Sequence, residues 1–277
     1  MKKILITGNS GYIGSHLTKL LEDTYELYGL DTMNPRVDIK HFINCDIRTM
    51  HYLQGEYDAV IHLAALVNVG ESEKMPSNYY MTNLTGTLNV LNGIKTKNFI
   101  FASTGAAEYC QSAYGTSKKA AEDCVREYCT KNNVPYTIFR FYNVIGSTVV
   151  EPTNPDGLFY NLIRAIRTKE FTIFGNDYDT VDGTCVRDYV HVMEICEALK
   201  LAIEQPSNDM ECLGHGVGHT VGEIVNLFRE VNDIKNIDLL TKIGPRRQGD
   251  LPISVLGNPS SYMKKMYEFR DLLKVDK

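Results

Sequence analysis

Tyr114-Gly115-Thr116-Ser117-Lys118 sets a phenol and an ammonium four residues apart in a stretch of helical composition. On a helix that spacing brings both onto one face, one turn apart. A phenol titrates near 10, too high for a base at neutral pH. A neighbouring cation favours the phenolate, so the pair can act as a general base. Thr104, at the end of the strand-like run Phe99–Ser103, offers a hydroxyl that can bind the oxygen being deprotonated. Ser103 is the alternative there, though a serine in such a turn commonly serves its own backbone. Taken alone, YxxxK is common on solvated helices, and its meaning depends on what accompanies it.

The accompaniment lies at the N-terminus. Gly8, Gly11 and Gly14 form GxxGxxG directly after the run Lys3–Thr7 and at the head of the helical stretch Tyr12–Leu21. The first glycine permits a tight turn, the second lets backbone approach a pyrophosphate, and the third lets helix pack on strand. The helix N-terminus adds free N–H groups and the positive end of its dipole. Asp31 closes the next strand, about 20 residues on, where a carboxylate can accept both hydroxyls of an adenosine ribose. A carboxylate there repels a 2′-phosphate, so NAD is expected over NADP. Arg36 could pair with such a phosphate, but beside Pro35 in a loop it reads as solvated. Asp46-Ile47 is placed either to meet the adenine or simply to make a turn.

These groups need a scaffold, and the first half of the chain supplies one. Strand-like runs at Lys3–Thr7, Glu26–Asp31, His41–Asp46, Ala59–Ala65, Phe99–Ser103 and Tyr136–Phe141 alternate with helical stretches. Beyond Tyr12–Leu21, these are Thr85–Lys95 and Ser117–Lys131. Such alternation implies an α/β fold, a doubly wound parallel sheet of Rossmann type with helices on both faces. From about Glu151, glycine, proline and aspartate turns separate shorter elements, with helical patterns at Gly157–Arg167, His191–Glu204 and Val221–Val231. The expected division is an NAD-binding domain over residues 1–150 and a smaller substrate-binding lobe over 151–277, with some elements shared.

Composition narrows the function classes. The chain has 277 residues, 43% hydrophobic and 23% charged, with a net charge of −5. That acidic balance provides no basic footprint for nucleic acid or an anionic membrane. No apolar run approaches the ~20 residues of a membrane span. The opening MKKILITGNSGYIG breaks into glycines too soon for a signal peptide and reads as a first strand. Seven cysteines without a CxxC pair suggest reduced thiols in a cytoplasmic protein. His215 and His219 sit in a glycine-rich stretch rather than on a helix, so no metal site is expected.

The chain resembles the UDP-hexose 4-epimerases of the extended short-chain dehydrogenase family over nearly its whole length. TGNSGYIGSH at 7–16, VIHLAALVNVGES at 60–72 and NLTGTLNVL at 83–91 carry the likeness in the first half. IFGNDYDTVDGTCVRDYVHVM at 173–193, LGHGVGHTVGEIVNLF at 213–228 and PRRQGDLP at 245–252 are narrower and point to nucleotide-sugar binding. The resemblance implies a reaction. Tyr114 takes the C4 hydroxyl proton as hydride passes to NAD, a 4-keto sugar forms, and hydride returns to its other face. It also implies cofactor contacts from Tyr12, Ile13, Leu63, Ala64, Ala65, Asn83 and Tyr142. On the substrate side it assigns Asn143, Asn161 and Leu162 to the diphosphate or sugar, and Thr172 to Phe174 to the uracil. Arg187 and Arg247 would pair with the pyrophosphate, Asp250 with the uridine ribose, and Ser254 would border the sugar C2 substituent. A homodimer through two helices of the Rossmann half is a family expectation.

The sequence departs from the family pattern in four places. Only Cys110 to Ala113 separate Tyr109 from Tyr114, where relatives carry about twenty residues. Val67 stands where many relatives have a cofactor-contacting lysine. Segment 32–44 is compressed, and the usual final helical region is mostly missing after Met266. Gly105 and Ala106 replace the Asp-Glu pair of 4,6-dehydratases, which removes the acid and base for losing water. A nucleotide-sugar reductase that releases its cofactor, and a non-catalytic NAD-binding sensor, remain open at this point.

Overall fold

β1 (Lys3–Thr7) runs through the centre of the protein, with Ile4 to Thr7 fully shielded from solvent. A strand covered on both faces reads as an unbroken apolar run, as ILIT does here. The computed structural model describes residues 1–234, 240–247 and 250–275. β1 is followed by α1 (Tyr12–Leu21), β2 (Glu26–Asp31) and β3 (His41–Asn44). Next come the short β4 (Glu56–Tyr57) and β5 (Ala59–His62), then α2 (Val69–Lys74) and α3 (Pro76–Tyr79). A π-helical turn, Tyr80–Thr85, leads into α4 (Gly86–Gly93). β6 (Lys95–Thr96) pairs with β4, and β7 (Phe99–Thr104) leads through α5 (Ala106–Tyr109) to the long α6 (Ala113–Asn132) and β8 (Tyr136–Phe141).

The principal sheet has seven parallel strands in the order β12-β8-β7-β5-β1-β2-β3, where β12 is Met210–Leu213. Strand order reverses between β1 and β5, and ligands of such sheets bind beyond the strand ends at that switch. One face is covered by α1 together with α8 (Val192–Glu204), whose Ile195 and Leu199 join Leu17 and Leu21 in one core. α4 and α6 cover the other face through Val90, Leu91, Ala121 and Val125. Thus α8 and β12, from the second half of the chain, complete the N-terminal layer structure.

The remaining second-half elements form a smaller lobe. β9 (Asn143–Ile145) pairs with β11 (Val186–His191), which also pairs with β13 (Gly218–Thr220) and β15 (Ile253–Ser254). β10 (Glu170–Phe174) pairs with β14 (Leu240–Gly244). α7 (Leu158–Thr168) and α9 (Val221–Val231) bury Phe159, Leu162, Ile224 and Phe228 together.

Several boundaries differ from the sequence reading, each for a local reason. β3 stops at Asn44, because the Asp46 carboxylate turns back to accept the Arg48 N–H at 2.9 Å. β5 stops at His62, and the chain then bends over the end of β1. The stretch expected to be helical from Thr85 is already wound from Pro76, with the π turn inside it. α6 begins one turn before Ser117, because the Ser112 side chain caps it by accepting the Gly115 N–H at 3.1 Å. That earlier start places Tyr114 in the first turn of a firmly capped helix.

Candidate active site

The glycine turn is built as its sequence implies. Gly8 adopts a φ of +76°, and a Cβ there would stand 2.6 Å from the Ala64 nitrogen. At Gly14 a Cβ would lie 2.2 Å from the Gly8 carbonyl oxygen, so only glycine lets α1 start this close to the turn. At Gly11 a Cβ would stand 3.2 Å from the same oxygen, and no side chain caps α1. The free N–H groups of its first turn therefore face the crevice, as an anionic pyrophosphate requires.

Asp31 stands at the rim of this turn, its carboxylate oxygens accepting the backbone N–H groups of Ser10 and Met33, each at 3.0 Å. Each oxygen keeps a lone pair for a ribose hydroxyl. Arg36 donates to the Glu151 carbonyl at 3.1 Å and so is not held ready for a 2′-phosphate. These residues fit NAD. Side-by-side titration with both cofactors should give tighter binding of NAD, and equal or tighter NADP binding would reject this reading of Asp31.

Below the turn, a chain of hydrogen bonds links the strand ends. His62 Nδ1 meets the Thr7 hydroxyl at 2.6 Å, and Nε2 meets Thr87 at 2.9 Å. Burial, reinforced by the Lys118 charge, pushes the His62 pKa down to about 3, so the ring stays neutral. The buried Asn83, inside the π turn, accepts the Leu66 N–H at 2.8 Å and donates to the Leu66 carbonyl and to Ser117. It fixes the loop after β5 rather than reaching the cavity with its side chain.

A cavity of about 510 Å³ opens from the glycine turn past the C-terminal ends of β7 and β8 to β9 and to Arg187 and Tyr189 of β11. Thr104, Tyr114 and Lys118 line it together. The Thr104 side chain favours the Tyr114 phenolate, and the Thr104 hydroxyl accepts the Ala106 N–H at 3.2 Å. Ser103 also borders the cavity, but its hydroxyl donates to the buried Glu122 at 2.6 Å. The Tyr79 ring packs edge-on against Tyr114, with centroids 6.4 Å apart. Lys118 is buried, its ammonium 4.1 Å from the centre of the Phe101 ring. Burial raises the Tyr114 pKa against the pull of Thr104, and lowers that of Lys118 to about 7 against the pull of Glu122.

The same cavity is walled by Gly8, Gly11, Tyr12, Ile13, Gly14, Leu63 and Ala65 on the cofactor side. Tyr142, Asn143, Arg187, Asp250 and Ser254 wall it on the lobe side. Arg187 reaches Asp250 at 3.4 Å and lies in register with Ser254 across β11 and β15. Ala64 contributes backbone, its N–H meeting Thr7 at 3.3 Å.

Other expected side chains turn elsewhere. Asp46 is taken up by an ion pair with Arg48. Ile47 is buried against Gly86, so it presents no side chain to an adenine. Asn161 donates to the Pro155 and Gly157 carbonyls at the head of its own helix, and Leu162 is sealed in the lobe core. Thr172 and Phe174 lie on β10, apart from the cavity wall, with the Arg247 guanidinium stacked 4.1 Å from the Phe174 ring centre. Arg247 also donates to the Asp156 carbonyl at 3.0 Å. Gln248 and Gly249, in the PRRQGDLP block, lie outside the described residues.

Cavity residues that the sequence reading did not single out include Gln111, Pro152, Thr153, Asn154, Tyr160 and Tyr189. Tyr109 and Val67, about half exposed at 49% and 45%, stand at the mouth. The short link before Tyr114 is accommodated by Cys110, which takes a left-handed conformation at φ 50° and folds α5 back onto α6. Among the described residues, no group of three or more His, Cys, Asp or Glu is arranged to hold a metal, and no helix is long and apolar enough to cross a membrane.

Comparison with known proteins gives this arrangement its context. A UDP-glucose 4-epimerase of Haemophilus influenzae is 32% identical over 95% of this chain and 91% of its own. The solved UDP-glucose 4-epimerase of Bifidobacterium longum, in complex with NAD⁺ and UDP, superposes with a TM-score of 0.82 at 25% identity. That alignment covers 98% of this chain and 96% of the other. The UDP-Glc/GlcNAc 4-epimerase of Campylobacter jejuni gives a TM-score of 0.75 at 28% identity, covering 99% and 97%. The model of the NAD dependent epimerase/dehydratase family matches residues 4–213, and the chain belongs to that family.

Proposed function

We infer that this enzyme interconverts UDP-hexoses by epimerisation at C4, with NAD held as a bound cofactor. The observation that carries the reading is the single cavity shared by the glycine turn, the Thr104–Tyr114–Lys118 group and the Arg187–Asp250 pair. Bound NAD supplies the hydride chemistry. The chain's residues do the rest. The Tyr114 oxygen takes the proton of the C4 hydroxyl and later returns it, with Thr104 holding that hydroxyl in line. Lys118 places positive charge beside the phenolate as it forms. Arg187 suits the diphosphate, because a guanidinium fork matches phosphate oxygens. Asp250 suits the uridine ribose. Gly105 and Ala106 leave no acid-base pair for dehydration.

Ser254 sets the sugar range. It lines the cavity on β15 beside Arg187, and its side chain is far smaller than the aromatic rings that would close the C2 side. The pocket should therefore accept the 2-acetamido sugars as well as the plain hexoses. Such selectivity is worth ~1–3 kcal/mol, about 10–200-fold in kcat/KM. The test is turnover of UDP-Glc/UDP-Gal and UDP-GlcNAc/UDP-GalNAc without added NAD(H), in the wild type and in Ser254→Tyr. Tyrosine should depress the acetylated pair selectively. An unchanged ratio would remove the role given to Ser254, and a need for stoichiometric NAD(H) would replace epimerisation with reduction.

A homodimer and a cytoplasmic location complete the reading. Exposed Tyr80 and Met81, beside α6, give the Rossmann half an apolar surface for pairing. All seven cysteines are free, which suits a reducing compartment. Light scattering and cell fractionation check the two points; a monomer, or a secreted protein, would reject them.

A further inference from the structure

Beneath the catalytic group lies a buried ion pair that takes no direct part in the reaction. Glu122 follows Lys118 by one turn of α6 and is completely shielded from solvent. Arg140 on β8 holds its carboxylate with two bonds, each at 2.8 Å. Ser103 donates a third at 2.6 Å. Ser103 and Arg140 are direct partners in the β7–β8 register. Residues alternate along a strand, so Phe101 and Ser103 point to the same face of β7. They meet Lys118 and Glu122 respectively. Tyr114, Lys118 and Glu122 thus form one stripe at i, i+4 and i+8, running from cavity to core.

We propose that Glu122 is a positioning residue of the catalytic centre: anchored by Arg140 and Ser103, it holds Lys118 as an ammonium beneath Tyr114 and fixes Thr104 through its neighbour Ser103. The proposal rests on the epimerase reading for its kinetic expression only. The groups around Lys118 support it. From β5 the facing His62 is neutral, and from β7 the Phe101 ring contributes only its π face. Within α6, Tyr114 alternates between phenolate and phenol during the reaction. Arg140 on β8 is already committed to the carboxylate, with Glu108 and Cys212 beyond it. Glu122 is thus the negative charge that the structure places against Lys118, and it opposes the burial that drives the ammonium towards losing its proton.

The test compares wild type, Glu122→Gln and the double variant Glu122→Gln/Arg140→Met. The double variant leaves no unpaired guanidinium in the core, and its amide oxygen still accepts from Ser103. Two readouts are taken on the NAD-bound protein: the pH profile of kcat for UDP-glucose, and the ultraviolet titration of the Tyr114 phenolate, assigned by difference against Tyr114→Phe. Loss of the carboxylate should move the alkaline limb of the profile down by about one pH unit and the Tyr114 titration up. A profile that drops equally at every pH, with an unmoved titration, would make Glu122 a packing element and overturn the proposal. A titration shifted in the variants, with a wild type that has no epimerase activity, would uphold Glu122 and overturn the epimerase reading instead.

Discussion

Tyr114→Phe should reduce kcat by ~10²–10⁴ while leaving NAD bound and the fold intact. That factor corresponds to about 2.7–5.5 kcal/mol of barrier. The substitution removes one oxygen at the cavity wall, and the ring keeps its edge-on contact with Tyr79. The neighbouring Thr104 side chain faces the cavity and can turn to water. Little stability is therefore at stake. Burial raises the Tyr114 pKa, so the wild type should lose activity on the acid side as the phenol holds its proton. The residual activity of the variant should lack that acid limb. Wild-type turnover in Tyr114→Phe, or an acid limb that persists unchanged, would assign proton transfer to another group.

Legibility of the fold followed the range of the forces involved. β1, β2, β8 and α1 begin and end where their residue patterns say, because a buried parallel strand and an amphipathic helix each impose a local period. α6 starts earlier than its apolar period suggests, because Ser112 supplies the cap and caps are polar. The π turn at Tyr80–Thr85 has no periodic signature; Asn83 within it is fixed by Leu66 and Ser117, which come from other parts of the chain. In the site, the glycines, Asp31, Tyr114 and Lys118 are legible because short motifs carry them, and Thr104 because it ends a strand. Asn161 and Leu162 lie in a helix whose rotation no motif specifies, and it turns them to a carbonyl cap and to the core. Pairings such as Glu122 with Arg140 join residues on different elements. Neither residue stands out in the chain, and only the packing of α6 over β7 and β8 brings them together.

Asp188→Asn should lower the melting temperature by about 6–12 °C. Asp188 lies on β11 beside Arg187 and has no exposure to solvent. One carboxylate oxygen accepts the His215 N–H at 2.9 Å, and the other accepts those of Gly216 at 2.8 Å and Leu256 at 3.4 Å. An asparagine has one acceptor oxygen, so either orientation sets its NH₂ against a backbone N–H. Hydrogen bonds to a charged group contribute ~1.5–3 kcal/mol each, and a loss near 3 kcal/mol is expected. For chains of this size each kcal/mol is worth roughly 2–4 °C. The turn cannot retreat to make room, since even a Cβ at Gly214 would lie 2.6 Å from the carboxylate. The same carboxylate ties down the segment after Ser254, and the Asp188 carbonyl accepts from Asn143 at 3.1 Å. A slack wall there should raise KM for the UDP-sugar more than it lowers kcat, because Thr104, Tyr114 and Lys118 stand on other elements. A melting temperature within about 2 °C of wild type would show that the three N–H groups find other partners, and that the wall does not depend on this carboxylate.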